Sequence, residues 1–213
     1  MNTPDSIIFD MDGTLWDAVS SYAAVWNKTL DDLHSDAPRV NYKELAPCMG
    51  LTLEKIAERL FPDGIPNPDI FFNVLSENEE KMMPALGGNL YPGVDATLRK
   101  LKEAGIKLFM VSNCGPAGLP NFVNATGLEN IFTDLRSLGS TGKPKDVNMR
   151  ELIDQYSLQS PVYVGDTNGD MAYTRRAGIP FIWASYGFGK SVRGADFVLS
   201  QFSDILNIFP QLT

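Results

Sequence analysis

Histidine and cysteine are scarce in this 213-residue chain, and their scarcity narrows the chemistry at once. The one histidine, His34, sits in the polar stretch Asp31 to Asp36, which excludes multi-histidine metal sites and histidine-based triads. The two cysteines, Cys48 and Cys114, have no CxxC spacing and are too few for a disulfide framework, so reduced thiols are expected. The Asn-x-Thr matches at Asn27 and Asn124 then carry no meaning. No apolar run approaches the roughly 18 residues that a membrane span needs, and no basic segment precedes the first short apolar run. A cytoplasmic protein without a membrane partner is expected. Basic residues are also in deficit, 18 against 26 acidic, with no run that could follow a phosphate backbone, so nucleic acid is excluded as a partner. Carboxylates are left to carry most of any chemistry.

What the chain does have is enough apolar residue, 44%, to bury a proper core. At about 150 residues per domain its length fits one domain, or one domain with a sizeable insertion. Short apolar runs stopped by polar turns read as buried parallel strands at residues 6–10, 106–112, 161–166 and 179–185, with a weaker candidate at 131–138. Between them the period becomes helical, as at Val94, Leu98 and Leu101 and at Met149, Leu152, Ile153 and Tyr156. Strands alternating with helices predict a parallel sheet covered on both faces.

Residues 17–87 break this alternation. Tyr22, Val25, Trp26, Leu30 and Leu33 form one helical stripe, Leu53, Ile56, Ala57 and Leu60 a second, and Ile70, Val74, Leu75 and Met82 a third. Turn signals separate them, at Phe61 to Pro66 and again at Pro84 and Gly87-Gly88, before strand–helix alternation resumes at Tyr91-Pro92-Gly93. An all-helical insertion after the first strand is expected.

Ligands of open α/β sheets bind outside the carboxyl ends of the strands, so the residues that end each run are the candidates. The first strand ends Asp10-Met11-Asp12-Gly13-Thr14, the next Ser112-Asn113, and a later one Gly165-Asp166-Thr167-Asn168-Gly169-Asp170; the turn Thr141-Gly142-Lys143-Pro144 leads into the helix before that last strand. If the strand persists to residue 12, period-two geometry points Asp10 and Asp12 to one side, and Asp166 and Asp170 complete four carboxylates in one crevice. That density of like charge calls for a cation, and an all-oxygen donor set suits Mg²⁺.

These four segments, in this order, resemble the four motifs of the haloacid dehalogenase superfamily. The helical block resembles the cap of its phosphoglycolate phosphatase and beta-phosphoglucomutase-like branch, and the likeness spans nearly the whole chain. It implies a Rossmann-like parallel α/β core, residues 1–16 and 88–213, with an all-helical cap at 17–87 hinged near residues 15–17 and 87–88. It further implies that Asp10 is the nucleophile, forming an aspartyl-phosphate, and that Asp12 is the general acid and base. Ser112, Asn113 and Lys143 would bind the phosphoryl group, with Lys143 offsetting charge, and Mg²⁺ would be held by Asp10, the main-chain carbonyl of Asp12, Asp166 and Asp170.

The expected function is Mg²⁺-dependent hydrolysis of a small phosphorylated metabolite. A phosphomutase of the beta-phosphoglucomutase type would use the same pair of aspartates, and a non-catalytic binding module would merely keep the fold. Asp12 argues against the dehalogenases and phosphonatases of the superfamily, which are similar but lack an acid there. Lys43, Lys55 and Arg59, around the loop at residues 47–51, are candidates for substrate contact. Asp166 to Asp170 is no calcium loop, since Met171 occupies the glycine position. Ala184 to Ser191 ends Gly-Lys-Ser but lacks a following helix, which suits a surface loop beside the crevice better than a nucleotide cradle. Cys114, without a base nearby, reads as a bystander.

Overall fold

A computed structural model describes residues 3–65 and 67–209; Pro66, in the expected break before the third helical stripe, lies outside the described residues, as do both chain ends. In chain order the elements are β1 (Ser6–Phe9), β2 (Trp16–Asp17), α1 (Val19–Asp32), α2 (Tyr42–Leu45), α3 (Leu53–Leu60), α4 (Pro68–Leu86), β3 (Asn89–Leu90), α5 (Val94–Glu103), β4 (Lys107–Ser112), α6 (Gly118–Thr126), β5 (Asp134–Ser137), α7 (Leu138–Thr141), α8 (Lys145–Tyr156), β6 (Pro161–Gly165), α9 (Asn168–Ala177), β7 (Phe181–Ala184), β8 (Phe197–Leu199) and α10 (Ile205–Ile208). Six strands form one parallel sheet in the order β5-β4-β1-β6-β7-β8. The chain fills one side of β1 with β4 and β5, then crosses to the other with β6. The connections that leave the strands around β1 therefore run to opposite sides, which opens a crevice at the carboxyl ends.

The sheet is apolar on both faces, and residue alternation shows it. Ile7, Phe9, Leu108, Met110, Val162 and Val164 join one buried cluster, while Ile8, Phe109, Val111 and Tyr163 join another, with Met149 and Leu152 of α8 packed on it. This double coverage is why the strands read as continuous apolar runs rather than as alternating ones. The expected strands are present within two residues of their ends, except that the weaker candidate at 131–138 starts three residues later, at Asp134; β8 and the small antiparallel ribbon β2–β3 carry no comparable apolar run and escape sequence reading.

Between β2 and β3 all the described regular structure is helical. α1 and α4 pack along each other, tied by Asn78 Nδ2, which donates to Thr29 Oγ1 at 3.2 Å and to Asp32 Oδ2 at 2.9 Å. Trp26, Phe61 and Phe71 fill the space beneath them with ring centroids 5.5–6.4 Å apart. The third expected stripe is corrected by the structure. Ile70 is exposed, and the buried face of α4 runs Phe71, Leu75, Asn78, Glu79 and Met83. A reading by hydrophobicity skips Asn78 and Glu79 because they are polar, although Leu75, Glu79 and Met83 follow one another at four-residue spacing. No helix among the described residues is long and apolar enough to cross a membrane.

Candidate active site

The carboxyl ends of β1, β4 and β6 bring the expected residues together. Asp10 follows β1 directly, its amide donating to the Val164 carbonyl of β6 at 2.8 Å, and is 1% exposed. The strand does not persist to residue 12 as the period-two expectation requires. β1 ends at Phe9, and the chain turns as the Met11 carbonyl accepts from the amides of Thr14, Leu15 and Trp16. Asp12 is left out of the carboxylate cluster, although it lines one cavity with Asp10. Its side chain accepts a bond from Trp16 Nε1 at 3.0 Å, and it lines an inner cavity facing the helical insertion. Three carboxylates, not four, gather in one cluster: Asp10, Asp166 and Asp170 each contribute an oxygen within 4.8 Å of the others.

Each carboxylate of the cluster is held by its own local structure. Asp170 stands in the first turn of α9 and shares a capping box with Thr167: the Thr167 hydroxyl and amide donate to Asp170 Oδ2 at 2.6 and 3.0 Å, and the Asp170 amide donates back to Thr167 Oγ1. Helix capping and site formation are thus served by the same residue. Asp166 accepts from the amides of Phe188 and Gly189 at 2.7 and 3.1 Å. These come from the loop at residues 184–191, which approaches so closely that a Cβ at Gly189 would fall 1.9 Å from the Asp166 carbonyl. The Gly-Lys-Ser loop is therefore a support for Asp166, and its glycines are required by contact rather than by a phosphate.

The lysine of the site is Lys145, not the expected Lys143. Lys145 is 1% exposed, and its Nζ lies 2.7 Å from Asp10 Oδ1 and 2.6 Å from Asp170 Oδ1. Lys143 is exposed and its ammonium pairs with Glu151 at 2.6 Å. The reason is helical phase. Gly142 adopts a left-handed conformation that ends α7, Pro144 stays extended, and α8 begins at Lys145. Lys145 then heads the buried stripe Lys145, Met149, Leu152, while Lys143 precedes the helix and faces solvent. The sequence carried the needed signal, since Lys145 lies four residues before Met149 of the apolar stripe.

Charge in the cluster follows from burial and from neighbours. Burial and the nearby Asp170 push Asp10 up to about 7 against the pull of Lys145. Burial and the charge of Asp10 hold Asp12 well above the usual carboxylate range. Burial, Asp170 and Asp10 do the same to Asp166, against the opposing Gly189 and Phe188 amides. Burial opposes the charge on Asp170 too, but Lys145 and the Thr167 bonds overcome it and hold its carboxyl below the ordinary value. Burial would lower Lys145, yet Asp10 and Asp170 more than offset it and keep the ammonium charged. Three carboxylates against one ammonium leave excess negative charge, and Asp10 Oδ2 and Asp166 Oδ1 are buried without a hydrogen-bond partner. Orphaned hard oxygen donors of this kind fit a divalent cation such as Mg²⁺ and would be poor ligands for a soft metal.

Ser112 and Asn113 end β4 and line the same cavity as Asp10 and Asp12. The Asn113 amide donates to the Gly50 carbonyl at 2.9 Å, which ties the insertion loop to the sheet, while its Oδ1 has no partner. From the insertion the cavity receives Tyr22, Val25 and Trp26 of α1, all three from the first expected stripe, and Leu75 and Glu79 of α4, of which Glu79 is a charged group that sequence reading did not single out. Cys114 also lines it, with its thiol pushed up by burial and so kept protonated, as suits a bystander. Lys43 and Arg59 do not reach this cavity. They line an outer cleft with Lys190, and Lys55 is exposed.

A parallel sheet with carboxylates and a buried lysine at its carboxyl edge, roofed by helices inserted after the first strand, defines a hydrolase of the α/β class. The chain belongs to the haloacid dehalogenase-like hydrolases, whose family model matches residues 7–184. A phosphoglycolate phosphatase of Vibrio parahaemolyticus is 25% identical over 95% of this chain and 94% of its own length. One from Aquifex aeolicus is 28% identical, covering 95% of both. Among solved structures, a predicted phosphoglycolate phosphatase from Haemophilus somnus superposes with a TM-score of 0.85 at 22% identity, over 98% of this chain and 99% of that one.

Proposed function

We propose that this chain hydrolyses a small phosphomonoester, with Mg²⁺, through a phosphorylated Asp10. The chain is an enzyme of the phosphoric monoester hydrolase type. The single observation that carries the mechanism is the pairing of two buried aspartates with different surroundings: Asp10, bonded to Lys145 within the carboxylate cluster, and Asp12, outside it and facing the inner cavity. Two carboxyls in unlike environments divide the roles of nucleophile and acid.

Asp10 attacks phosphorus; the bond from phosphorus to the ester oxygen breaks, its electron pair stays on that oxygen, and Asp12 supplies the proton that makes it an alcohol. The elevated affinity of Asp12 for its proton favours the form that this half-reaction needs. In the second half Asp12 takes a proton from water as the water oxygen bonds to phosphorus, and the bond from phosphorus to Asp10 breaks. Lys145 fixes Asp10 and offsets charge beside it, and Ser112 and Asn113 line the place of the phosphoryl oxygens. Asp10, the main-chain carbonyl of Asp12, Asp166 and Asp170 would hold Mg²⁺, which would neutralise phosphoryl charge when bound.

Several relatives are named phosphoglycolate phosphatases, and a structural neighbour from Rhodobacter sphaeroides was solved with xylulose-1,5-bisphosphate; both support the phosphoester class. The test is hydrolysis of acetyl phosphate in Mg²⁺, with acid quenching and mass spectrometry to locate the phosphorylated residue. The expected result is phosphate on Asp10, and a loss of at least about 10³-fold in turnover in Asp10→Asn and on chelation. Undiminished turnover in Asp10→Asn would refute the mechanism.

A further inference from the structure

α4 buries a glutamate against the catalytic crevice with nothing to pair it. Glu79 is 7% exposed and has no hydrogen bond or ion pair among the described residues. Its carboxylate lies over the turn after β4, where a Cβ built on Gly115 or Gly118 would stand 3.7 Å from its oxygens. Opposite, on α1, Tyr22 is 9% exposed and its hydroxyl has no partner. Both side chains line the inner cavity with Asp12, the proposed donor to the departing oxygen. The remaining roof is apolar, from Val25, Trp26, Leu53, Ile56 and Leu75.

The Tyr22 hydroxyl is fully buried and unsatisfied, at a cost of roughly 1–3 kcal/mol, and the Glu79 carboxylate faces the cavity without a protein partner, so a partner from the ligand is the physical remedy. The cavity itself specifies that partner. No lysine or arginine lines it among the described residues, and Lys145, beneath Asp10, is already bonded to two carboxylates. Lys43 and Arg59 of the insertion stand in the outer cleft, beyond the loop of Met49, Gly50 and Leu51 that lines both spaces. An anionic leaving group would meet carboxylates without a counter-charge. The cavity volume is about 50 Å³. That is several times the roughly 10–15 Å³ that one water requires, enough for a few heavy atoms.

We infer that Glu79 and Tyr22 select the alcohol portion of the substrate: a small group bearing hydrogen-bond donors, hydroxyl or ammonium, and no carboxylate or second phosphate. This rests on the phosphatase reading and departs from what the names of the relatives suggest, since glycolate is an anion. A donor on the alcohol binds Glu79, Tyr22 donates to or accepts from its neighbour, and the ester oxygen is turned toward Asp12. Glu79 is a specificity residue and takes no part in bond making.

The experiment compares kcat/KM for glycerol 1-phosphate, phosphoethanolamine, ethyl phosphate and 2-phosphoglycolate in Mg²⁺, with acetyl phosphate as reference, for the wild type and Glu79→Gln. At least one donor-bearing ester is expected to exceed both ethyl phosphate and 2-phosphoglycolate by tenfold or more in the wild type, and the better of the two distinguishes hydroxyl from ammonium. In Glu79→Gln the preference over 2-phosphoglycolate is expected to shrink to within about threefold, chiefly through KM. Wild-type preference for 2-phosphoglycolate, ethyl phosphate equal to the donor-bearing esters, or a ratio unmoved in Glu79→Gln would each overturn the inference. If neither acetyl phosphate nor any of the four esters is hydrolysed, the phosphatase reading fails instead. Calorimetric affinities of the same esters for Asp10→Asn then put the selectivity to the same test.

Discussion

The floor and the roof of the crevice are built on opposite principles. At the floor every carboxylate has a holder on at least one oxygen, Asp10 on Lys145, Asp166 on two amides of the 184–191 loop, and Asp170 on Thr167 and Lys145, with Asp10 Oδ2 and Asp166 Oδ1 left for a cation. At the roof Glu79 and the Tyr22 hydroxyl are buried with no holder. Preorganised groups cost no rearrangement when charge develops, which suits the atoms that do chemistry. Unsatisfied groups await a ligand, which suits the atoms that choose one. The difference matches the proposed division, with reaction at the sheet edge and choice in the insertion.

The two lysines offer the hardest blow to this comparison. Lys145→Met leaves Asp10 and Asp170 buried without their cation, a loss that typically costs several kcal/mol in stability and at least about 10²–10³-fold in turnover. Lys143→Met removes an exposed pair with Glu151 and is expected to stay within about twofold of wild type. Acetyl phosphate kinetics, with circular dichroism to confirm folding, decides between them. Loss in Lys143→Met alone would break the account of the floor.

How much of this was legible follows the same division. The aspartates of the floor were readable because strand ends are marked by abrupt changes from apolar to polar residues, and the sheet brings such ends together. Lys145 was readable in principle from its phase with Met149, but Lys143 lies nearer the turn, and motif spacing without helical phase picks the wrong one. The fourfold carboxylate cluster failed because hydrogen bonding at Met11, not strand period, decides where Asp12 points. The roof was half opaque for a physical reason: Tyr22 reads as part of the first apolar stripe, but a charged residue on a buried face contradicts the hydrophobic pattern by which such faces are found, so Glu79 leaves no signature until the helices are placed.

Glu79 also sharpens the comparison through its proton. Burial pushes its carboxyl from an ordinary 4.5 up to about 7, so the folded protein holds a proton that the unfolded chain releases. Between those values the folded state binds more protons than the unfolded one, and stability falls as pH rises. Below about 4.5 the penalty is absent, and above about 7 it is complete, at about 3 kcal/mol. Glu79→Gln removes this contribution together with the share of the upward push on Asp12 that comes from the charge of Glu79, while Asp10, Asp166 and Asp170 owe their shifts to other groups. The stability difference, variant minus wild type by urea unfolding without ligand, is therefore expected to grow from pH 4.5 to pH 7 and then level off. A difference independent of pH would mean that Glu79 is already satisfied and that the roof is no different from the floor.

The smallest effect belongs to the joint between the two regions. The ribbon β2–β3 carries the chain out of the sheet and back, and α4 ends just before it at Gly87, with φ 59° and ψ −158°. That backbone conformation is essentially restricted to glycine, and a side chain there costs on the order of 1–3 kcal/mol. Space is not the issue, because the nearest atom to a Cβ would be that of Ala125 at 3.8 Å. Gly87→Ala thus isolates backbone strain, whereas proline would also remove the amide that donates to Met83 at 2.8 Å. For a chain of this size, each kcal/mol lowers Tm by about 2–4 °C. A drop of a few degrees in Gly87→Ala is the expected result. An unchanged Tm would show that the helix end relaxes freely into another conformation, and that the roof is not fixed over the floor by this joint.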